Sequence, residues 1–251
     1  MNTPKGSADN PAPDSVQPMP GKETGLIKDV KSLKRRICDE ATIAVGMLEA
    51  SLAALWELDT DAAAAVIERD KRIDKEEVAI EEAAFRIMTL QQPVAREFRA
   101  LAFILKANND VERVGDHACS VAKSAVKLSK AVPPGFNWPT SLLELGQRVP
   151  MACHALLRAL IDEDPEGAKS IVVGDKAIDR LTRELFDETV KFMGTFPNSH
   201  AAGLLIYRIG RELERVGDLM TNIAEDIVYL TTGEIIRHEK KRIRAERNAG
   251  S

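Results

Sequence analysis

From about Lys28 onward, apolar residues recur at every third or fourth position, and no stretch sustains the alternation of a half-buried strand. That period predicts amphipathic helices. The first runs from about Lys28 to Leu58; Asp59 and Asp61 then cap a second, which begins in Ala62 to Ala65 and continues to about Leu90. Pro93 opens a third helix, because a first turn has no use for the missing N–H, and this one continues to about Lys130. Turn-forming Val132-Pro133-Pro134-Gly135, followed by Pro139, marks the middle of the chain. Three more helices follow. They run from Thr140 to Asp162 with a kink expected at Pro150, from Asp164-Pro165 to about Gly194, and onward from Asn198 and Ser199.

The second half repeats the first. Adding 105 to Asp70, Lys71, Ile73 and Asp74 lands on Asp175, Lys176, Ile178 and Asp179, with every residue identical. Adding 102 to Glu112, Arg113, Val114, Gly115 and Asp116 lands on Glu214, Arg215, Val216, Gly217 and Asp218, again identical. The change of offset falls between second and third helices, where a loop absorbs length cheaply. Two repeats of three long helices predict an all-α fold of two tandem, similar three-helix bundles. The expected division is a flexible tail over 1–25, a first repeat over 26–131, a linker over 132–139, a second repeat over 140–238 and a basic tail over 239–251.

Composition narrows the function. The 251 residues are 44% hydrophobic, 29% charged and only 4% aromatic, the balance of a helical globular protein. A net charge of −4 lacks the broad basic footprint of a nucleic-acid binder, so no direct nucleic-acid contact is expected. Cys38, Cys119 and Cys153 are odd in number and far apart, which suits reduced thiols in a cytoplasm; their simplest role is as small buried hydrophobes. Every apolar run is broken short of the roughly 20 residues a spanning helix needs, so any membrane association is peripheral and runs through partners. Segment 1–25 is rich in Pro, Gly, Ser and Asn and cannot repay the entropy of ordering. The basic stretch Arg237 to Arg247 reads as the solvated end of the last helix, with a membrane or partner contact as the sharper alternative.

The candidate chemistry lies in carboxylates that occur in pairs, each pattern twice. Glu112 with Asp116, and Glu214 with Asp218, are spaced i, i+4 and project from one helix face. Asp70 with Asp74, and Asp175 with Asp179, ride on apolar stripes and are expected to point toward a packed surface. The flanking helical positions outside the Glu112–Asp116 pair hold Asn108, Asn109, Cys119 and Ser120, none of them basic, whereas Arg211 stands one turn before Glu214. Oxygen donors from two helices suit hard cations such as Mg²⁺, Mn²⁺ or Ca²⁺, or a multinuclear iron or zinc cluster. A single such pair reads more readily as surface acids neutralised by Lys71, Lys176 or the neighbouring arginines, because the spacing is common in charged helices, but recurrence at matched positions favours a metal site. Gly115 and Gly217 add to this, since a mid-helix glycine costs about 1 kcal/mol against alanine and needs a packing or site reason. None of His117, His154, His200 and His238 follows a Glu by three residues, and no nucleophile or phosphate-loop motif is present, so an enzyme is not expected. A carboxylate-bridged metalloenzyme on a helical bundle is the alternative.

Asp110-Val-Glu-Arg-Val-Gly-Asp-His-Ala118, Glu212-Leu-Glu-Arg-Val-Gly-Asp218 with Asn222-Ile-Ala-Glu-Asp226, and Thr232-Gly-Glu-Ile-Ile-Arg-His238 closely resemble the PhoU family of phosphate transport regulators. Leu90-Gln-Gln-Pro-Val-Ala-Arg96 and Ala44-Val-Gly-Met-Leu-Glu49 are similar to its other segments, and the match spans about Leu26 to His238. The resemblance implies two three-helix bundles and metal clusters (iron, zinc, manganese or magnesium) on the E(D)xxxD motifs. The implied ligands are Asp70, Asp74, Glu112, Asp116, Asp175, Asp179, Glu214 and Asp218. It further implies a negative regulator that links the ATPase of the phosphate ABC transporter to the phosphate-sensing histidine kinase, and a homodimer is expected. Ser120 and Lys123 stand where the second half has Asn222 and Glu225, so the first site is expected to bind metal differently or more weakly.

Overall fold

The computed structural model describes residues 20–236, with side chains from Gly25 onward. Six helices follow one another: α1 (Pro20–Glu57), α2 (Thr60–Gln91), α3 (Ala95–Leu128), α4 (Thr140–Asp162), α5 (Pro165–Thr195) and α6 (His200–Thr232). Among the described residues there is no strand.

Local chemistry sets most of the boundaries. Asp59 accepts from the backbone N–H groups of Asp61 and Ala62 at 2.9 and 3.0 Å, and Asp164 accepts from Glu166 N–H at 3.0 Å, satisfying donors a helix start leaves open. Asp59 is thus the cap of α2, while Asp61 lies within its first turn. Gly233 closes α6 at φ 78°, where its N–H reaches Tyr229 O at 2.9 Å. One boundary differs from expectation. The first helix begins at Pro20 rather than Lys28, because proline fits a first turn and a long helix already nucleated downstream extends over residues that could not hold one alone. Of the tail expected over 1–25, positions 1–19 lie outside the described residues, as does the basic stretch from Arg237. Pro150 sits inside α4 with the helix continuing on both sides.

Helices α1, α2 and α3 pack on one another, as do α4, α5 and α6, and the halves meet where α3 lies against α6 and α1 against α4. Ile37, Leu48, Leu55, Ile104, Leu142, Leu145, Ile206 and Leu213 are among the fully buried side chains that make this core continuous. The linker is tied down by rings: Trp138 meets Trp56 edge-on at 5.1 Å and Phe136 at 4.8 Å, and Phe136 meets Phe192 at 5.6 Å.

Polar contacts cross between the halves. His117 Nδ1 lies 2.7 Å from Glu212 Oε2, Lys106 Nζ 3.5 Å from Asp226 Oδ1, and His154 Nε2 2.7 Å from Glu49 Oε1. Burial pushes the Glu212 carboxyl upward, but hydrogen bonds from His117 and Ser120 and the charges of His117 and Arg215 outweigh that and hold it below the ordinary carboxylate range.

Candidate metal centre

The two glycines of the repeated Glu-Arg-Val-Gly-Asp sequence bring the acidic helices together. A Cβ on Gly115 would stand 3.0 Å from Ile73 Cδ1 and 3.7 Å from Asp70 Oδ1; one on Gly217 would stand 3.1 Å from Ile178 Cδ1 and 3.5 Å from Asp175 Oδ1. In each half, then, the bare backbone of one helix receives the isoleucine and first aspartate of its neighbour. The repeat seen in sequence is a repeat of contact.

Across the first junction, Asp70 and Asp74 of α2 lie near Glu112 and Asp116 of α3, and the proximity is felt at Glu112 and Asp70. Burial raises the Glu112 carboxyl to about 7, with Asp116, Glu77, Asp74 and Asp70 adding to the rise. Asp70 is raised too, first by burial and then by Asp74 and Asp116, against the opposing Cys119 hydrogen bond and Lys123. Lys71 bonds Glu68 at 3.0 Å, and Arg113 lies 3.6 Å from Asp110. The expectation that both aspartates of α2 point into packing holds for half of them: Asp70 is half-buried, while Asp74 is exposed, as is Val78 farther along the same stripe.

The second junction, between α5 and α6, has the same layout with a different charge balance. Glu214 is raised by burial, but Arg211 opposes the rise directly through its Nη1 contact with Glu214 Oε2, as the one-turn spacing suggested. Burial and then Asp179 raise Asp218, with Arg211 and Arg215 opposing. A groove of about 1030 Å³ between α4 and α5 reaches Asp175, Ile178, Gly217 and Thr221, opening this junction on the α4 side.

Two participants escaped the sequence reading. Cys119 is more than a small hydrophobe: burial and Asp70 push its thiol up to about 12, and it hydrogen bonds Asp70. The 102-residue offset places Thr221 at its position in the second half, and Thr221 Oγ1 is buried without a hydrogen-bond partner. The other is Glu40 of α1, 1% exposed. Burial raises it to about 8, with Glu76, Glu77 and Glu112 adding and Arg36 opposing. A carboxylate among Ile37, Ala41 and Ala44 on a buried stripe was the available signal.

The donors fit a hard cation in kind, being carboxylate oxygens in excess of the positive charge near them. Among the described residues, no three His, Cys, Asp or Glu side chains are already gathered on one point as a metal cage. The acids face one another across each helix pair.

The fold and these junctions define a class: a duplicated six-helix protein in which each half holds one acidic helix against another over a glycine. The PhoU domain model matches residues 37–125 and 142–227, so the match falls on both halves and the chain belongs to the PhoU family. A protein named phosphate-specific transport system accessory protein PhoU homolog, from Pseudomonas putida, is 34% identical over 199 residues, covering 78% of this chain and 77% of that protein. The Deinococcus radiodurans protein of the same name is 35% identical over 164 residues, covering 65% and 76%. The crystal structure of the phosphate transport system regulatory protein PhoU from Streptococcus pneumoniae superposes with a TM-score of 0.77 at 26% identity, covering 84% of this chain and 99% of that one.

Proposed function

We propose that this protein is a non-enzymatic accessory of the phosphate transport system that restrains phosphate uptake and the phosphate-starvation response. In this reading it docks on the ATPase subunit of the transporter and on the phosphate-sensing histidine kinase, and metal bound at the acidic junctions sets its shape. The observation that carries the reading is family membership across both halves, together with relatives named for the transport system.

The chain's own residues suit an adaptor. The glycine-bearing helices α3 and α6 hold the acidic pairs and also form the seam between the halves. A change at one junction therefore acts on a helix that the other half packs against. Asp70, Asp74, Glu112 and Asp116 would hold metal in the first half, and Asp175, Asp179, Glu214 and Asp218 in the second. A hard cation supplies the positive charge that these carboxylates otherwise find only in part. No described helix is long and apolar enough to cross a membrane, so contact with a membrane-embedded kinase would be made from outside the bilayer.

Deleting the gene and following alkaline phosphatase expression at high and low phosphate tests the reading. Constitutive expression is the expected result. Phosphate control retained unchanged in the deletion strain would overturn it.

A further inference from the structure

The first half contains a buried acid for which the eight carboxylates above do not account. Glu40 lies on the inner face of α1, 1% exposed, and neither of its carboxylate oxygens has a hydrogen-bond partner. Arg36, one helical turn away, directs its Nε to Glu76 Oε1 at 2.8 Å. The other charges near enough to act on Glu40 are Glu76 and Glu77 of α2 and Glu112 of α3, so its carboxyl lies beside the first acidic junction. A second unpartnered acceptor lies there. Asn108, one turn before Glu112, donates from Nδ2 to Glu77 O at 2.8 Å and leaves its buried Oδ1 without a partner.

Folded proteins rarely leave a carboxylate so buried without a partner, because the desolvation cost of the group is then uncompensated. Packing does not require an acid at this position. Helices α1 and α4 end at matching positions 105 residues apart, and the same offset carries Glu40 onto Leu145, which is fully buried in the second half. A leucine fills the equivalent place there, so the glutamate answers to something other than shape.

We propose that Glu40 is a further ligand, supplied by α1, for a hard divalent cation such as Mn²⁺ in the first half, which thereby draws on three helices where the second draws on two. This rests on the metal reading above and adds a residue to it. Glu40 spends neither oxygen on the protein, so no hydrogen bond is broken when it turns toward an ion. The charge balance also runs against the weaker first site expected from Ser120 and Lys123: Glu214 has Arg211 against it, whereas Glu112 faces only further acids among the charges acting on it. An ion touching α1, α2 and α3 together would couple metal occupancy to the packing of α1, the helix of this half that lies against α4.

The experiment uses the full chain carrying Glu214→Gln and Asp218→Asn, which leaves the first half as the metal site, and measures Mn²⁺ binding by titration and bound manganese after gel filtration. Adding Glu40→Gln, which keeps shape, or Glu40→Leu, which copies the second half, is expected to weaken Mn²⁺ binding at least tenfold. In the presence of chelator both variants should be as stable as their parent, so a folding defect is separable from loss of a ligand. Mn²⁺ binding unchanged in both Glu40 variants overturns the proposal, as does a parent that binds no Mn²⁺. Adding Glu112→Gln with Asp116→Asn in the same background tests the underlying reading separately: loss there with none at Glu40 sinks only the Glu40 ligand.

Discussion

At the residue scale, the glycines at 115 and 217 are where close helix approach coincides with the acidic pairs. An added Cβ would press on Ile73 or Ile178 at about the limit that neighbouring side chains tolerate, so alanine sets a small helix-propensity gain against a tight contact. A β-branched residue adds two further carbons to that crowded space. Gly115→Val and Gly217→Val are each expected to cost about 1–3 kcal/mol, the usual penalty for overpacking, read as a lower urea midpoint with an unchanged slope. Equal stability in either variant would show that the helices can part there without loss. Gly210 makes the same argument away from the acids, since its Cβ would fall 2.1 Å from Leu185 Cδ2.

Between elements, the α4–α5 turn is held to the first half by charge. Glu163 takes a left-handed φ of 51° at the end of α4, contacts Lys34 of α1, and lies 3.6 Å from Arg96 of α3. The Lys34 hydrogen bond is the main reason its carboxyl is held below the ordinary range, in spite of partial burial. A lowered folded pKa means that the stabilisation is fully present above the unfolded value and is lost as pH falls through the folded one. The side chain is 38% exposed, so solvent screens most of the effect. Glu163→Gln should therefore cost about 0.5 kcal/mol at pH 7 in low salt, and the parent and variant should converge in acid once Glu163 is protonated in the folded state. Thermal melts at pH 7 and in acid check this; a difference that persists unchanged in acid would assign the effect to the turn geometry instead of the charge.

Across the whole molecule, the seam between α3 and α6 decides whether the halves unfold together. Glu212 is 6% exposed and meets His117 at 2.7 Å, with Arg208 Nε 3.5 Å from its other oxygen. Removing one partner of a buried charged hydrogen bond leaves the other uncompensated, so Glu212→Ala should cost about 2–4 kcal/mol. A loss below about 0.5 kcal/mol in urea unfolding would show that apolar packing alone joins the halves. Metal should act on the same scale. Mn²⁺ at a hundredfold excess over its dissociation constant is expected to stabilise the chain by about 2.7 kcal/mol per site. Glu214→Gln with Asp218→Asn should remove the second site's share of that stabilisation in calorimetry, whereas an identical metal response in parent and variant would count against that site.

Much of this protein is legible along the chain because helices are local objects. The three-to-four spacing, the aspartates at 59 and 164 and the proline at 165 act over a few residues, and the observed elements follow them closely, whereas Pro93 does not open α3 but precedes its cap, Val94. The duplication was legible for a related reason: identical sequences repeated in order pack in the same way, so Asp70 beside Gly115 and Asp175 beside Gly217 form one contact made twice. What tertiary structure alone decided is which charges share a dielectric environment. Arg211 serving Glu214 could be read from one turn of helix, but Lys123 opposing Asp70, and Cys119 bonding it, depend on how α2 and α3 are set against each other. Glu40 shows the difference most plainly. In sequence it is one acid in a charged stretch of a long helix, and only when α2 and α3 close over α1 does it become a carboxylate with both oxygens buried and unmatched. Periodicity reports which face of a helix is turned inward, whereas the electrostatic state of a side chain on that face depends on partners about 35 and 70 residues away.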